Sequence, residues 1–294
     1  MVLNVLLTGG SGFIGKNIVK SFSKTYNIIA PRSNELNLLD QHAVDRFFEQ
    51  YQIDIVIHSA VKPGHRNAED TKDLFYSNTR MFFNLVRHQH KYKKMVFLSS
   101  GAVYDVTRNL DKIKETDFDE YVPSDEHGFS KYVCGKYIEQ AENIIELRLF
   151  GVFGKYEDYS IRFISNAICK SLFDLPITLR QNRVFDYLYI DDLMPILDHF
   201  INNTPKYSVY NITPTKSIEL YQIAEKVVEV SNKSIPIIVG SDSRGLSYTG
   251  NSIRLVEEMG DGIFSPIDSS IAKLYKWYHK NKYSIDKQCL LIDK

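Results

Sequence analysis

Thr8-Gly9-Gly10-Ser11-Gly12-Phe13-Ile14-Gly15 directly follows the apolar run Val2 to Leu7 and joins a buried strand to a helix through spaced glycines. Gly9 permits a tight turn, Gly12 lets the backbone approach a pyrophosphate, and Gly15 allows the helix to pack closely on the strand. The N–H groups at the start of that helix then face the phosphate charge. The stretch therefore predicts a dinucleotide-binding turn. Its predicted cofactor contacts are Thr8, Gly9, Ser11, Gly12, Phe13, Ile14 and Gly15.

A spaced-glycine pattern also occurs in ordinary turns, so its context matters. Here an apolar strand precedes it, and the amphipathic positions Ile14, Ile18, Val19 and Phe22 follow it. Further along, short apolar runs alternate with amphipathic stretches, which predicts an α/β fold with a Rossmann-type doubly wound parallel sheet. The strands predicted in this part are 2–7, 27–31, 54–58, 94–99 and 145–149, and the predicted helices are 13–24, 40–51, 72–91 and 126–142.

After Gly154 the regular alternation ends, which predicts a smaller α+β lobe at the C-terminal side that closes over the first lobe's ligand. We expect the dinucleotide-binding lobe to span 1–163, with 184–212 returning to it. The substrate-binding lobe is then formed by 164–183 and 213–294. The elements predicted in this part are strands 177–179, 184–189 and 209–212 and helices 160–173, 191–202, 217–231 and 269–281.

Composition excludes several classes of protein. The 294 residues include 36 basic and 36 acidic side chains, so the chain lacks the positive charge of a nucleic-acid-binding protein. Cys134, Cys169 and Cys289 show neither the paired spacing of a metal site nor a disulfide framework, which favours a reducing compartment. The chain starts in a strand, and no apolar run reaches membrane-spanning length. We therefore expect a cytoplasmic protein without a metal, nucleic-acid or membrane partner.

Several stretches together resemble the extended short-chain dehydrogenase/reductase family. They are the glycine turn, Val56-Ile57-His58-Ser59-Ala60, Asn78, Ser99-Ser100-Gly101-Ala102-Val103-Tyr104 and Tyr189-Ile190-Asp191-Asp192. The chain is most similar to the nucleotide-sugar epimerases, dehydratases and 4-keto reductases of that family, and among them to GDP-fucose synthase-like reductases. The resemblance implies a Rossmann lobe for NAD(P) and a small C-terminal lobe for a nucleoside-diphosphate sugar.

In that family a Ser or Thr acts with a Tyr and a Lys that share one helix face through Tyr-x-x-x-Lys spacing. Ser100 matches the hydroxyl, which is implied to hydrogen-bond the sugar oxygen where charge builds. Lys131 matches the lysine that reaches the nicotinamide ribose. Tyr104 matches an aromatic hydroxyl near the sugar, so it is a reserve proton donor and a substrate contact. Further implied cofactor contacts are Ser59, Ala60, Lys62, Asn78 and Ser99.

The tyrosine position departs from the family. Where the family has Tyr-Gly-x-Ser-Lys, this chain has His127-Gly128-Phe129-Ser130-Lys131, and a second register, Tyr132-Val133-Cys134-Gly135-Lys136, also satisfies the bare spacing. Five residues turn a helix by about 500°, so Tyr132 and His127 lie roughly 140° apart and cannot both face one site. The flanking Gly and Ser-Lys, and the distance from Ser100, favour His127 and Lys131 and leave Tyr132 a packing role.

Histidine in that place suits a reduction. Imidazole titrates near pH 6.5 and phenol near pH 10, so an imidazolium is a ready donor for the proton that a new alkoxide needs. The same group can also accept a proton, which keeps a 4-epimerase open. A third interpretation is that His127 marks a lost catalyst and the protein only binds NADP(H).

Cationic residues favour NADP(H) over NAD(H). After the second strand, where an acid would bind the ribose of NAD, the chain has Arg32 and Ser33, and Lys16 follows the glycine turn. A guanidinium, a hydroxyl and an amine suit a 2′-phosphate. The next loop resembles that of GDP-fucose synthase and the dTDP-hexulose reductases, which implies that Asn37 and Leu38 border the adenine.

The substrate lobe departs from the family at two places. Phe185-Asp186-Tyr187 stands where the family has an Arg-Asp-aromatic triplet, and Gly151 replaces the Asn of an Asn-x-Tyr-Gly turn. Each change removes an implied substrate contact. The candidates that remain for the diphosphate are Arg180, Arg183, Arg244 and Arg254.

These features together predict an NADPH-dependent reductase of the 4-keto group of a nucleoside-diphosphate 6-deoxy sugar, a hexose or a heptose. Two helices, 72–91 and 126–142, resemble those that pair in the family's dimer, so we expect a homodimer. Their apolar stripes also fit the core of a single chain. The residues available for that burial are Phe75, Phe82, Leu85 and Tyr137.

Overall fold

The computed structural model describes residues 2–62, 72–260 and 262–291. The strands are β1 (Asn4–Thr8), β2 (Asn27–Ile29), β3 (Ile55–His58), β4 (Lys94–Ser100), β5 (Leu110–Ile113), β6 (Ile144–Leu149), β7 (Gly151–Phe153), β8 (Ile177–Leu179), β9 (Val184–Phe185), β10 (Tyr187–Tyr189), β11 (Val209–Ile212), β12 (Ile218–Glu219), β13 (Ile237–Val239) and β14 (Tyr248–Gly250). The helices are α1 (Phe13–Phe22), α2 (Gln41–Gln50), α3 (Leu74–Val86), α4 (Glu126–Ile138), α5 (Phe163–Leu172), α6 (Ile190–Asn202), α7 (Leu220–Ser231), α8 (Ile253–Met259) and α9 (Ile267–Lys280).

The central sheet confirms the predicted α/β class. Six parallel strands lie in the order β11-β6-β4-β3-β1-β2, with α1 to α4 between consecutive strands. The strands in the middle are buried on both faces, which explains why their sequences are continuously apolar. In this register Thr8 pairs with His58, and Ser100 pairs with Leu149. The carboxyl ends of β1, β3 and β4 therefore meet at one edge, where ligands bind in such sheets.

The prediction of one continuous strand over 184–189 was wrong. The strand is interrupted at Asp186, so β9 pairs with β12 and β14 while β10 pairs with β7. The fully buried Asp186 carboxylate accepts hydrogen bonds from Thr213 Oγ1 (2.6 Å), Ser217 Oγ (2.5 Å) and the Gly250 N–H (2.9 Å). These hydrogen bonds come from other segments of the chain and fix Asp186 at the point where the chain passes from one sheet to the other.

Several short elements escaped prediction. The strands β5, β7, β12, β13 and β14 and the helix α8 were not expected, and they have between two and seven residues each. Periodicity needs a longer window than that. A small sheet of order β12-β9-β14-β5 results, and it lies against a separate apolar cluster that includes Val103, Phe150 and Tyr248.

Two of the side chains expected at a dimer interface belong to the core of the single chain. Phe82 and Leu85 of α3 are completely buried. Tyr76 and Phe129 are exposed on α3 and α4 and leave an apolar surface for a partner, so the homodimer stays a prediction. Within residues 2–62, 72–260 and 262–291, no helix combines the length and the apolar character needed to cross a bilayer.

Candidate active site

The glycine turn is as tight as its sequence predicts. Gly9 has a φ of +75°, and a Cβ there would lie 2.7 Å from the backbone nitrogen of Ala60. A Cβ at Gly15 would overlap the carbonyl oxygen of Gly9. Gly12 donates its N–H to that same carbonyl at 3.0 Å. The turn therefore packs against both its own helix and the segment after β3, and only glycine fits at positions 9 and 15.

The beginning of α1 fits a phosphate. Gly12 is the N-cap residue, so no side chain caps the helix, and the first turn carries no acidic residue. Backbone N–H groups at such an end lack intrahelical partners and attract anions. Ser11 is exposed beside them, whereas Phe13 and Ile14 are half-buried. These features fit the pyrophosphate of a dinucleotide.

Hydrogen bonds hold the segment after β3 beside this turn. The hydroxyl oxygen of Thr8 accepts the Ala60 N–H at 3.2 Å and lies 2.7 Å from Nδ1 of His58. Asn78 of α3 accepts the Lys62 N–H at 2.7 Å and donates its amide to the Lys62 carbonyl at 3.2 Å. The structure thus brings together these predicted cofactor residues. Because both ends of the Asn78 amide bond the backbone of Lys62, Asn78 positions residues 59–62.

Two serines end β4 at the same edge. Ser99 Oγ is buried and has no hydrogen-bond partner within the described ranges 2–62, 72–260 and 262–291. Because an unsatisfied buried hydroxyl is costly, this atom suits a cofactor contact. Ser100 Oγ accepts the Ala102 N–H at 3.1 Å and lies 3.4 Å from the hydroxyl oxygen of Tyr248.

Helix α4 carries the half-buried His127 and the buried Lys131, and its first turn lies beside the end of β4. Asp125 caps the helix by accepting the Gly128 N–H at 2.8 Å. A Cβ at Gly128 would lie 2.7 Å from the Ala102 carbonyl oxygen, so the first turn of α4 packs directly against the 3₁₀ turn that follows Ser100. His127 and Lys131 are four residues apart and share one helix face.

Lys131 is buried at the end of β4. Its Nζ donates to the Leu98 carbonyl at 3.2 Å and lies 4.4 Å from the centre of the Phe97 ring. Burial lowers the pKa of Lys131 to about 8, against the opposing effect of Cys134 and Glu146. The amine is consequently a charged donor at neutral pH that stands at the edge where the cofactor would lie.

The positive amine also acts on its buried neighbour. Burial, and then the charge of Lys131, lower the pKa of His58 to about 3. His58 is therefore neutral at every physiological pH, and its bond to Thr8 is a structural link of β1 and β3.

The alternative register on α4 does not point at the site. The hydroxyl of Tyr132 donates to the exposed carboxylate of Asp119, and Lys136 pairs with the same carboxylate at 3.1 Å. The hydroxyl of the half-buried Tyr132 thus lies on the solvent side of α4, and the choice of His127 and Lys131 stays a prediction.

Tyr104 is not available as a reserve donor, which corrects that expectation. It is 3% exposed, its hydroxyl donates to Asn211 Oδ1 at 2.8 Å, and it accepts from Arg148 Nη1 at 2.8 Å. Arg148 is itself buried and forms a two-pronged ion pair with Glu146. Burial raises the pKa of Tyr104 well above that of an ordinary phenol. The residue belongs to a buried polar network between β4, β6 and β11.

Most of the residues that were predicted to bind the adenosine part of the cofactor are exposed. Arg32 and Ser33 follow β2 on the surface, and Arg32 forms no ion pair with any residue of the described ranges. Lys16 is also exposed, with Nζ 6.0 Å from the centre of the Tyr156 ring in the loop after β7. Asn37 is exposed, whereas Leu38 is buried and its carbonyl accepts from Asn84 of α3 at 2.8 Å.

The four candidate substrate arginines lie in different surroundings. Arg254 of α8 donates to the Val209 carbonyl at 3.2 Å, at the amino end of β11, which is the far end of the sheet from Ser100. Its expected substrate role was therefore wrong. Arg180 is exposed after β8, and the other two side chains bind residues of other segments. Arg183 donates to Leu246 O at 2.8 Å, and Arg244 pairs with Glu219.

The glycine that replaces the family's asparagine has a structural cause. A Cβ at Gly151 would lie 2.5 Å from the Asp186 carbonyl oxygen and 3.0 Å from the Tyr187 ring. The interrupted strand β9 to β10 therefore approaches β7 too closely for a side chain at that position.

Tyr248 escaped prediction although it reaches Ser100. It lies on the three-residue strand β14, and its ring packs on Phe150 and Phe185 with centroids 5.0 Å and 5.5 Å apart. The sequence around it, Ser247-Tyr248-Thr249-Gly250, resembles no motif of the site. Only the pairing of β14 with β5 and β9 brings it to the end of β4.

Comparison with known proteins finds one protein family and several individual enzymes to which the chain is similar. The profile of the NAD dependent epimerase/dehydratase family matches residues 5–213. The chain is 23% identical to the GDP-L-colitose synthase of Yersinia pseudotuberculosis, over 95% of this chain and 99% of that protein. It is 25% identical to the ADP-L-glycero-D-manno-heptose-6-epimerase of Brachyspira hyodysenteriae, over 92% and 96%.

Solved structures share the fold. The GDP-mannoheptose C4 reductase from Campylobacter jejuni with NADP bound aligns with a TM-score of 0.80 at 17% identity, covering 94% of this chain and 98% of that one. The UDP-glucose 4-epimerase from Thermotoga maritima aligns with a TM-score of 0.78 at 18% identity, covering 95% and 100%.

Proposed function

The chain belongs to the NAD dependent epimerase/dehydratase family, and from that premise we propose that it reduces the 4-keto group of a nucleoside-diphosphate 6-deoxy sugar with NADPH. The membership confirms the resemblance to the nucleotide-sugar branch of the extended short-chain dehydrogenase/reductases. It makes the protein an NAD(P)-dependent oxidoreductase. The direction of the reaction, the cofactor and the proton donor are the proposal.

The observation that carries the proposal is the arrangement of α4 against the end of β4. Lys131 Nζ is anchored on the Leu98 carbonyl, and His127 precedes it by one turn on the same helix face. The 3₁₀ turn after Ser100 packs on that first turn. A hydroxyl, an imidazole and an ammonium group are thus carried by two segments that pack on each other, which supports their acting together in a carbonyl reduction.

The residues of this corner divide the work. NADPH, when bound, supplies the hydride. Ser100 donates a hydrogen bond to the carbonyl oxygen and stabilises the negative charge that builds on it. The His127 imidazolium transfers its proton to that oxygen, and solvent then reprotonates the imidazole. Lys131 holds the nicotinamide ribose and adds a positive charge close to the developing alkoxide.

The preference for NADPH is supported by charge. An exposed guanidinium at Arg32, without an acidic partner in the described ranges, stands where a 2′-phosphate needs a cation. The structure places the Lys16 amine near Tyr156, so Arg32 and Ser33 are the principal candidates.

The 4-keto sugar is supported by the relatives. A colitose synthase covers nearly the whole chain, and a C4 reductase of a GDP-heptose shares the fold. The nucleoside and the choice between hexose and heptose are left to experiment. Arg180, Arg183 and Arg244 are the candidates for binding the diphosphate, and Ser100 contacts the sugar.

Net consumption of cofactor tests the function. The purified protein is mixed with NADPH or NADH and a panel of 4-keto-6-deoxy sugars on GDP, CDP, dTDP and UDP, and the nicotinamide absorbance is followed. Stoichiometric oxidation with one substrate is the expected result. A 4-hydroxy sugar nucleotide, supplied with NAD⁺ or NADP⁺, whose C4 configuration is inverted without net absorbance change would make the protein a 4-epimerase like some of its relatives. Tight NADPH binding without turnover of any substrate would make it a binding protein.

A further inference from the structure

We propose that Tyr248 is a positioning residue of the active site, which holds the Ser100 hydroxyl so that it can only donate its hydrogen bond to the substrate. This inference rests on the proposed reduction and deepens it. It adds the phenol of Tyr248, on β14, to a site in which His127 takes the position of the family's tyrosine.

Two groups lie within hydrogen-bond distance of the Ser100 hydroxyl oxygen. Ser100 Oγ accepts the Ala102 N–H at 3.1 Å, and the hydroxyl oxygen of Tyr248 lies 3.4 Å away on another side. Ser100 is half-buried at the end of β4, whereas Tyr248 is 3% exposed. The phenol thus approaches Ser100 from the interior, and the ligand edge of the sheet is left to the substrate.

Counting donors and acceptors gives the consequence. A serine hydroxyl has one O–H and two lone pairs. Either hydroxyl of this pair could donate, and the proposal assigns the donor role to Tyr248. The Ala102 N–H and the Tyr248 O–H then fill both lone pairs of Ser100 Oγ, so the Ser100 O–H must donate its further bond. A carbonyl oxygen that gains negative charge needs a donor of this kind. The arrangement therefore fixes the polarity of Ser100 before the substrate arrives.

Packing makes the phenol rigid. The Tyr248 ring contacts Phe150 and Phe185, and β14 is held by its pairing with β5 and β9. A Cβ at Gly101 would lie 2.8 Å from both the Tyr248 hydroxyl oxygen and the Phe150 ring. Glycine next to Ser100 is thus what allows the phenol to approach. A group fixed in this way needs no reorganisation during the reaction.

The test compares two identical chemical changes. Tyr248→Phe removes one hydroxyl in the site, and Tyr132→Phe removes one hydroxyl on the surface at Asp119. We expect Tyr248→Phe to lower kcat by about 10-fold, the effect of one well-placed hydrogen bond, and to leave KM for the sugar nucleotide and NADPH affinity within about 2-fold. Tyr132→Phe should keep kcat and KM.

A double-mutant cycle separates positioning from folding. If Tyr248 acts through Ser100, the Tyr248→Phe change has no further effect on kcat in a Ser100→Ala background. Additive losses, a rise in KM without loss of kcat, or a Tyr248→Phe variant as active as wild type would each overturn the proposal. Thermal unfolding midpoints show whether both variants are folded.

A crystal structure of the wild-type protein with NADPH gives a result that needs no substrate. The two hydroxyl oxygens should lie within about 3.5 Å, and a separation beyond about 4 Å would reject the inference. Should wild type turn over none of the substrates, the proposed function fails by itself and this distance still decides the role of Tyr248.

Discussion

The phenol of Tyr132 donates its hydrogen bond to Asp119 on the solvent side of α4, while Lys131, one residue earlier, donates to the Leu98 carbonyl inside the molecule. Adjacent residues of one helix thus point about 100° apart. The Tyr132 hydroxyl and the Lys131 amine therefore cannot serve the same site, and we propose that the register of His127 and Lys131 is the one that acts.

Replacing His127 by Phe should reduce kcat at least ~10²-fold, because a general acid typically contributes that much or more. NADPH affinity should be unchanged, since the proposed cofactor contacts are elsewhere. Steady-state kinetics and fluorescence titration with NADPH measure the two effects. Tyr132→Phe is the matched control and should keep wild-type kcat. A crippled Tyr132→Phe beside an active His127→Phe would reverse the assignment.

Tyr104→Phe should destabilise the protein without slowing it. The change leaves Arg148 Nη1 and Asn211 Oδ1 without their buried partner, and such a loss costs about 1–3 kcal/mol in unfolding free energy. Urea unfolding measures it, with Tyr132→Phe as a surface control. If kcat fell as far as in His127→Phe while stability was unchanged, Tyr104 would be the proton donor after all.

Arg32→Ala should shift cofactor preference. Loss of a charge-assisted bond to the 2′-phosphate should raise KM for NADPH by about 10-fold or more and leave KM for NADH within about 2-fold. Initial rates with both cofactors measure the ratio. Arg46→Ala, an equally exposed change on α2, should alter neither constant. Equal effects of Arg32→Ala on both cofactors would remove the argument for NADPH.

Glu157 makes stability fall with pH. Its carboxyl accepts from Ser165 Oγ at 2.6 Å, and burial raises its pKa from 4.5 to about 7. Between these values the unfolded chain has lost the proton that the folded chain keeps, so stability decreases as pH rises from 4.5 to 7 and then levels off. Glu157→Gln should remove that loss.

The expected size of the Glu157 effect is about 3.5 kcal/mol at most, since the two pKa values differ by about 2.5 and each pKa unit corresponds to about 1.4 kcal/mol. Urea unfolding of wild type and Glu157→Gln at pH 4 and pH 8 measures it. The variant should match wild type at pH 4 and exceed it at pH 8. Ser160→Ala is the control, because Ser160 is half-buried in the same loop and donates to the exposed Asp158. This variant should show the wild-type pH dependence. Parallel curves for wild type and Glu157→Gln would contradict the assignment.

Most of the central sheet and of the helices α1 to α4 follows from the sequence. Long apolar runs such as Met95 to Leu98, and helices with regular periodicity, carry their structure in local pattern, because strands buried on both faces and amphipathic helices have distinct periods. The turn from Thr8 to Gly15 identified the nucleotide edge for the same reason, since its glycines are required by backbone contacts within that turn and with the segment after β3.

Only the tertiary structure shows how polar side chains far apart in sequence pair with one another. The break at Asp186, the burial of Tyr104 on Arg148 and the arrival of Tyr248 at Ser100 all depend on pairs of residues more than 25 positions apart in sequence. Two- and three-residue strands have no period of their own, and a hydroxyl or an acid does not reveal in sequence which partner will satisfy it. The sequence by itself determined the fold and the place of the candidate site, whereas long-range pairing determined which polar groups remain at the sheet edge and which are bonded within the interior.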